Sequence, residues 1–145
     1  FEYSPLEPGH IRVLTLLPRR AGERFAIVRC TMRHVSLDTI PSEAQLGIAL
    51  SYVWGPTTQE MRDIILNERT FTVSASLCEA MACQRGRIGD RPRTIWIDAI
   101  CINQSDTAER ASQVSMMQHI YSRADATVVW LGPPENDSES ALNAI

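Results

Sequence analysis

The sequence predicts an α/β fold: a mainly parallel central sheet flanked by helices, with added N-terminal strands and a β-hairpin. Three observations carry it. Residues 95–102 are apolar at every position but Asp98, and so read as a strand buried on both faces. Strand, helix, strand and helix then follow in order from residue 94 to the end, the pattern of a wound parallel sheet. The length of 145 residues with 44% hydrophobic content suits one domain with a real core.

The elements follow in order. Residues 11–17 form an apolar run closed by Pro18, and residues 25–32 alternate in part; both read as strands joined by a polar turn. Residues 36–44 are a polar connection. Residues 48–53 are a buried strand stopped by Trp54-Gly55-Pro56. Residues 63–74 read as a hairpin around Asn67-Glu68-Arg69. Residues 75–85 form a helix with Leu77 and Met81 on one side, ending in a loop over 86–92. Residues 106–123 form a second helix, with Ala111, Val114, Met117, Ile120, Tyr121 and Ala124 recurring at helical spacing. Residues 127–131 are a β-branched strand stopped by Gly132-Pro133-Pro134, and residues 138–145 begin a last helix. The chain starts without Met and stops inside that helix, which suggests one domain excised from a longer multidomain protein.

Composition excludes several functions. All 14 basic residues are arginine. Without lysine there is no GxxxxGK[ST] phosphate loop, no kinase strand lysine and no Schiff base, and a guanidinium that stays protonated cannot replace the amine as nucleophile. A net charge of −3 with scattered arginines leaves no nucleic-acid footprint. The apolar runs are too short to span a bilayer, and the first ten residues are no signal peptide. Four cysteines without a CxxC pair read as reduced thiols, which points to the cytoplasm. The Asn103 and Asn136 glycosylation patterns would matter only in a secreted chain. Three histidines, at 10, 34 and 119, are far apart and next to no cysteine, which makes a metal site unexpected.

In an open parallel sheet, ligands bind beyond the carboxyl ends of the strands. Three segments end there in unusual sequence: Ser51-Tyr52-Val53-Trp54-Gly55, Asp98 through Asn103 and Gln104, and Trp130-Leu131-Gly132. Tyr52 and Trp54 supply flat faces for a ring, Ser51 a hydroxyl, and Asn103 and Gln104 amide donors and acceptors. Trp96 and Trp130 read as core.

LSYVWG, then WIDAICINQSDTAERASQVSMMQHIYSRA, then VVWLG, in this order and spacing, resemble the fungal heterokaryon-incompatibility (HET) domain over residues 46–132. The WIDAICINQ block is highly specific, and the residues before Leu46 carry no recognised motif. The resemblance implies a role in fungal non-self recognition that triggers programmed cell death. It further implies a flavodoxin-like fold related to Toll/interleukin-receptor (TIR) domains, many of which cleave NAD at the nicotinamide–ribose bond. NAD would then be a substrate rather than a cofactor. Expected partners are a second copy of the chain and other incompatibility or receptor-type proteins, with no nucleic acid and no membrane. The alternative is a non-catalytic death-signalling adaptor that works by homotypic association.

N-glycosidic hydrolysis needs a carboxylate near the ribose and an aromatic slot for the leaving ring. The carboxylates in reach of the crevice are Glu109, Asp98, Asp106 and Glu139. Glu109 opens the second helix, where Asp106-Thr107-Ala108-Glu109 also has capping-box spacing; the two roles are compatible. Asp98 interrupts an apolar strand and must be partnered, for structure or for function. Glu139 falls roughly where TIR enzymes carry a catalytic glutamate, without the tryptophan–cysteine signature beside it; the other reading is a first-turn glutamate facing solvent. Arg110, a cation at a helix start, is the arginine best placed to meet phosphate or carboxylate. Cys101 with His119 as base is a cysteine-hydrolase reading set against a small core thiol.

Overall fold

The computed structural model describes residues 1–19, 27–38, 46–55, 60–86 and 91–132. Its elements are β1 (His10–Leu16), β2 (Arg29–Ser36), β3 (Ile48–Tyr52), β4 (Met61–Leu66), β5 (Arg69–Ser74), α1 (Ala75–Gly86), β6 (Arg93–Ile97), α2 (Asp98–Cys101), α3 (Thr107–Arg123) and β7 (Ala126–Trp130). Among the described residues the strands form one sheet in the order β5-β4-β2-β1-β6-β3-β7. The helix expected over 138–145, and Glu139 with it, lies outside the described residues.

The sheet is mixed, and antiparallel pairing makes up most of it, so the mainly parallel, flavodoxin-like sheet expected from the sequence is corrected. β1 runs antiparallel to β2 from His10↔Ser36 to Leu16↔Cys30, and antiparallel to β6 through Leu14↔Ile95. β4 and β5 form an antiparallel hairpin. Parallel pairing is confined to β6-β3-β7 and a brief contact of β2 with β4. The strands taken as N-terminal additions are central: β1 is the middle strand of the seven, and Ile11, Val13, Leu14 and Leu16 are fully buried. The physical reason is simple. Apolarity on both faces reports burial, and burial carries no information about strand direction.

Local chemistry sets the element ends. The β4–β5 turn is two residues, Asn67 and Glu68, both at positive φ (48° and 61°), so Arg69 belongs to the strand rather than the turn. This is the twist that matches a tight hairpin, usually supplied by Asn-Gly. Ser74 Oγ accepts the Leu77 N–H at 3.2 Å, and α1 then packs Leu77, Ala80 and Met81 into the core. Gly47 enters β3 at φ +77°, and a Cβ there would lie 2.0 Å from the Thr94 carbonyl oxygen. Only glycine allows that approach to β6.

The segment expected as a strand over 95–102 divides at Ile97. Asp98 accepts the Ala99 N–H on Oδ1 at 2.7 Å, and its carbonyl accepts from Ile102 N–H at 3.2 Å, which closes one helical turn. A short side chain that bonds the adjacent backbone competes with the ladder and redirects the chain. In α3, Asp106 caps the first turn by accepting the Glu109 N–H at 3.0 Å. The buried residues of α3 are Gln113 and Ile120, whereas Val114 of the expected apolar stripe is 54% exposed.

Candidate functional site

β3, β6 and β7 are neighbours and parallel, so their carboxyl ends open on one side of the sheet. Tyr52 pairs with Trp130 and Ser51 with Val129 at that end. Trp54 follows β3 and lies nearly parallel to the Tyr52 ring, with centroids 6.1 Å apart and planes at 19°. Half of Trp54 remains exposed.

Asp98 stands at the end of β6 beside this pair. Burial raises its carboxyl above the ordinary 3.8, opposed by hydrogen bonds from the Ala99 amide and the Trp54 side chain. The Asp98 charge also acts on Tyr52 and Tyr121. Burial, with that charge adding to it, pushes the Tyr52 phenol up to about 12, against a hydrogen bond with Ser74. Tyr121 is raised in the same way, against a hydrogen bond with Ser51. Gln104 Nε2 donates to the Asp98 carbonyl at 3.0 Å, so its amide holds the turn that carries the carboxylate. The Trp130 indole N–H is buried with no hydrogen-bond partner among the described residues. The structure thus gathers Ser51, Tyr52, Trp54, Asp98 and Gln104 at one strand end.

Glu109 belongs to a different assembly. Its two carboxylate oxygens accept from Arg12 at 2.5 and 2.9 Å, and Oε1 also accepts the Asn103 N–H at 2.7 Å. Arg12 is fully buried on β1 and donates further to the Ser4 and Cys101 carbonyls. Its guanidinium lies 4.8 Å from the centre of the Tyr3 ring, whose hydroxyl donates to the Ile100 carbonyl at 2.8 Å. Burial alone would raise the Glu109 pKa, but the Arg12 and Asn103 hydrogen bonds outweigh it and hold the carboxyl below 4.5. The cap half of the capping box forms, while the Glu109 side chain turns to Arg12 and Asn103 rather than back to Asp106. Asn103 Oδ1 accepts from Ser105 N–H, which orders the same loop.

The remaining candidates are quickly placed. Arg110 is exposed on α3. Cys101 is buried in α2, its sulfur accepting from Ile97 N–H at 3.4 Å, and burial pushes its thiol up to about 12. His119 is exposed on α3. A thiol in that state is a packing group, not a nucleophile. Among the described residues no group of three or more His, Cys, Asp or Glu is placed to hold a metal. Sequence reasoning missed Arg12 and Tyr3, and took Tyr121, like Gln113, for a packing residue. An arginine inside the apolar run of 11–17 was the available signal, since a charge there must find a buried partner.

The fold and this strand-end group define a mixed-sheet α/β domain with an aromatic–carboxylate cluster at the ends of its parallel strands. The sequence profile of the heterokaryon incompatibility protein (HET) family matches residues 48–145, and the chain belongs to that family. It is 36% identical over 146 residues to heterokaryon incompatibility protein 6, OR allele, of Neurospora crassa. That match covers 94% of this chain and 21% of the relative, so the chain spans about a fifth of the relative's length. No solved structure matches the chain. No helix among the described residues is long and apolar enough to cross a membrane.

Proposed function

We propose that the chain is an effector domain of fungal heterokaryon incompatibility, acting in the cytoplasm to trigger cell death by hydrolysing the N-glycosidic bond of NAD or a related nucleotide. The observation that supports this reading is Asp98. Its half-buried, raised carboxyl sits against the Trp54–Tyr52 pair at the mouth of three parallel strands. In the reaction, the C1′–N bond breaks and its electron pair passes to the ring nitrogen. A nicotinamide ring is cationic before cleavage and leaves neutral, so no general acid is required. Asp98 stabilises the positive charge that develops on the ribose and takes the proton from the water that adds at C1′. Trp54 and Tyr52 hold the leaving ring, and Gln104 and Ser51 order the carboxylate's surroundings. Glu109 acts only through the backbone it clamps.

Concentrated protein incubated with NAD should release nicotinamide, and Asp98→Asn should abolish release with an unchanged circular dichroism spectrum. No release from the parent protein, or full activity in the variant, overturns the hydrolase reading. A second reading, a non-catalytic adaptor, is favoured by one observation. Val53 (66% exposed), Val129 (59%) and Leu131 (82%) stand beside Trp54 at the same end of the sheet. It predicts dimers by light scattering that Val129→Ser with Leu131→Ser disperses, in protein that never turns over NAD.

A further inference from the structure

A concavity lies between the N-terminal segment and α3. It encloses about 310 Å³, enough for one side chain or a small molecule. Its polar lining includes Glu7, Asp106 and Glu109 and, among the described residues, no basic residue, with Pro5, Leu6 and Met116 as apolar walls. Glu109 is already neutralised by Arg12, which leaves the charges of Glu7 and Asp106 facing the space. His10 approaches Glu7 only at 3.9 Å.

Gln113 makes this more than an acidic cluster. It lines the same cleft, is 2% exposed, and spends its Nε2 donor on the His10 carbonyl at 2.9 Å. That bond settles which end of the amide is which, and the other end, Oε1, has no hydrogen-bond partner among the described residues. A buried carbonyl without a donor is rare in a folded protein and calls for one. The complement of this lining is a cation with several N–H donors in a plane and little hydration to lose.

We propose that this cleft binds a guanidinium group, which donates to Gln113 Oε1 and pairs with Asp106 and Glu7. A guanidinium carries N–H donors enough for all three acceptors and tolerates the proline and methionine walls, whereas a compact, strongly hydrated ammonium does neither as well. Two sources share this chemistry: a free small guanidine, or an arginine side chain displayed by a partner protein.

The test is titration of the protein with argininamide, followed by the amide NMR shifts of Gln113 and Met116. Saturable shifts at these positions are expected, with weaker binding of lysinamide and none of citrullinamide, whose side chain is uncharged. Asp106→Asn keeps the helix cap but removes the charge, and combined with Glu7→Gln it should weaken binding about tenfold at unchanged melting temperature. Gln113→Met should also lose binding; if it fails to fold, the Asp106 and Glu7 variants still decide. Tighter binding of a Gly-Arg-Gly peptide assigns the site to a displayed arginine, and equal binding assigns it to a free guanidine. Absence of saturable shifts overturns the proposal. Equal binding of citrullinamide or lysinamide overturns it too.

Discussion

Asp98 and Glu109 stand eleven positions apart in one block of sequence, and the structure gives them opposite fates. Glu109 meets a buried arginine and a backbone amide, and its carboxyl is held below the ordinary value. Asp98 meets an indole and backbone amides, and burial lifts it. The first is fully partnered and clamps β1 to α3; the second is held near the surface with no cation beside it among the described residues. A carboxylate given a countercharge is held ionised, whereas one buried against only neutral donors is lifted.

The sharpest way to break this contrast is Arg12→Ala. It strips Glu109 of its partner and leaves the Ser4 and Cys101 carbonyls short of a donor, at an expected cost of about 3–5 kcal/mol in urea unfolding. Replacing both members, Arg12→Met with Glu109→Met, should recover much of that loss, because no buried charge is then left alone. A double variant as unstable as the single one would show that the backbone bonds, not the ion pair, carry the clamp.

A smaller effect separates the two carboxylates by pH. The Glu109 pKa is lowered on folding, so its contribution is present above 4.5 and lost as pH falls through the folded value below it. Asp98 is raised, so it favours the folded state below 3.8, and that contribution fades as pH rises through its higher folded value. Urea midpoints measured from acid to neutral pH should therefore respond in opposite senses. Glu109→Gln flattens the acid limb, while Asp98→Asn leaves that limb intact and makes the protein no less stable at neutral pH. Loss of stability in Asp98→Asn at neutral pH would place Asp98 with Glu109 as a structural group. The smallest expected change lies away from both. Glu68→Gly relieves a positive φ in the β4–β5 turn and should gain about 0.5–1 kcal/mol without altering either titration.

Much of this was legible in the residues. The hairpin, α1 and α3 follow from punctuation and helical spacing, and the Asp106 cap from its offset to Glu109. The clustering of Ser51, Tyr52 and Trp54 with Asp98 followed from placing them at strand ends. What escaped has one cause. β1 pairing with β6, Arg12 reaching Glu109 and Tyr3 reaching Ile100 join positions far apart in the chain, and periodicity sees only neighbours. The Asp98 turn was hidden for another reason: four apolar-flanked residues fit a strand end and a helical turn equally well.

The central place of β1 also has a consequence in time. During synthesis β1 can pair at once with β2, but its other neighbour, β6, follows only about eighty residues later. At about 5–20 residues per second, that delay is roughly 4–16 s. Throughout it, the strand that carries Ile11, Val13, Leu14 and Leu16 has one open hydrogen-bonding edge and no finished core to cover it. The nascent chain is most exposed to aggregation, and most in need of a chaperone, in the seconds before Leu14 finds Ile95.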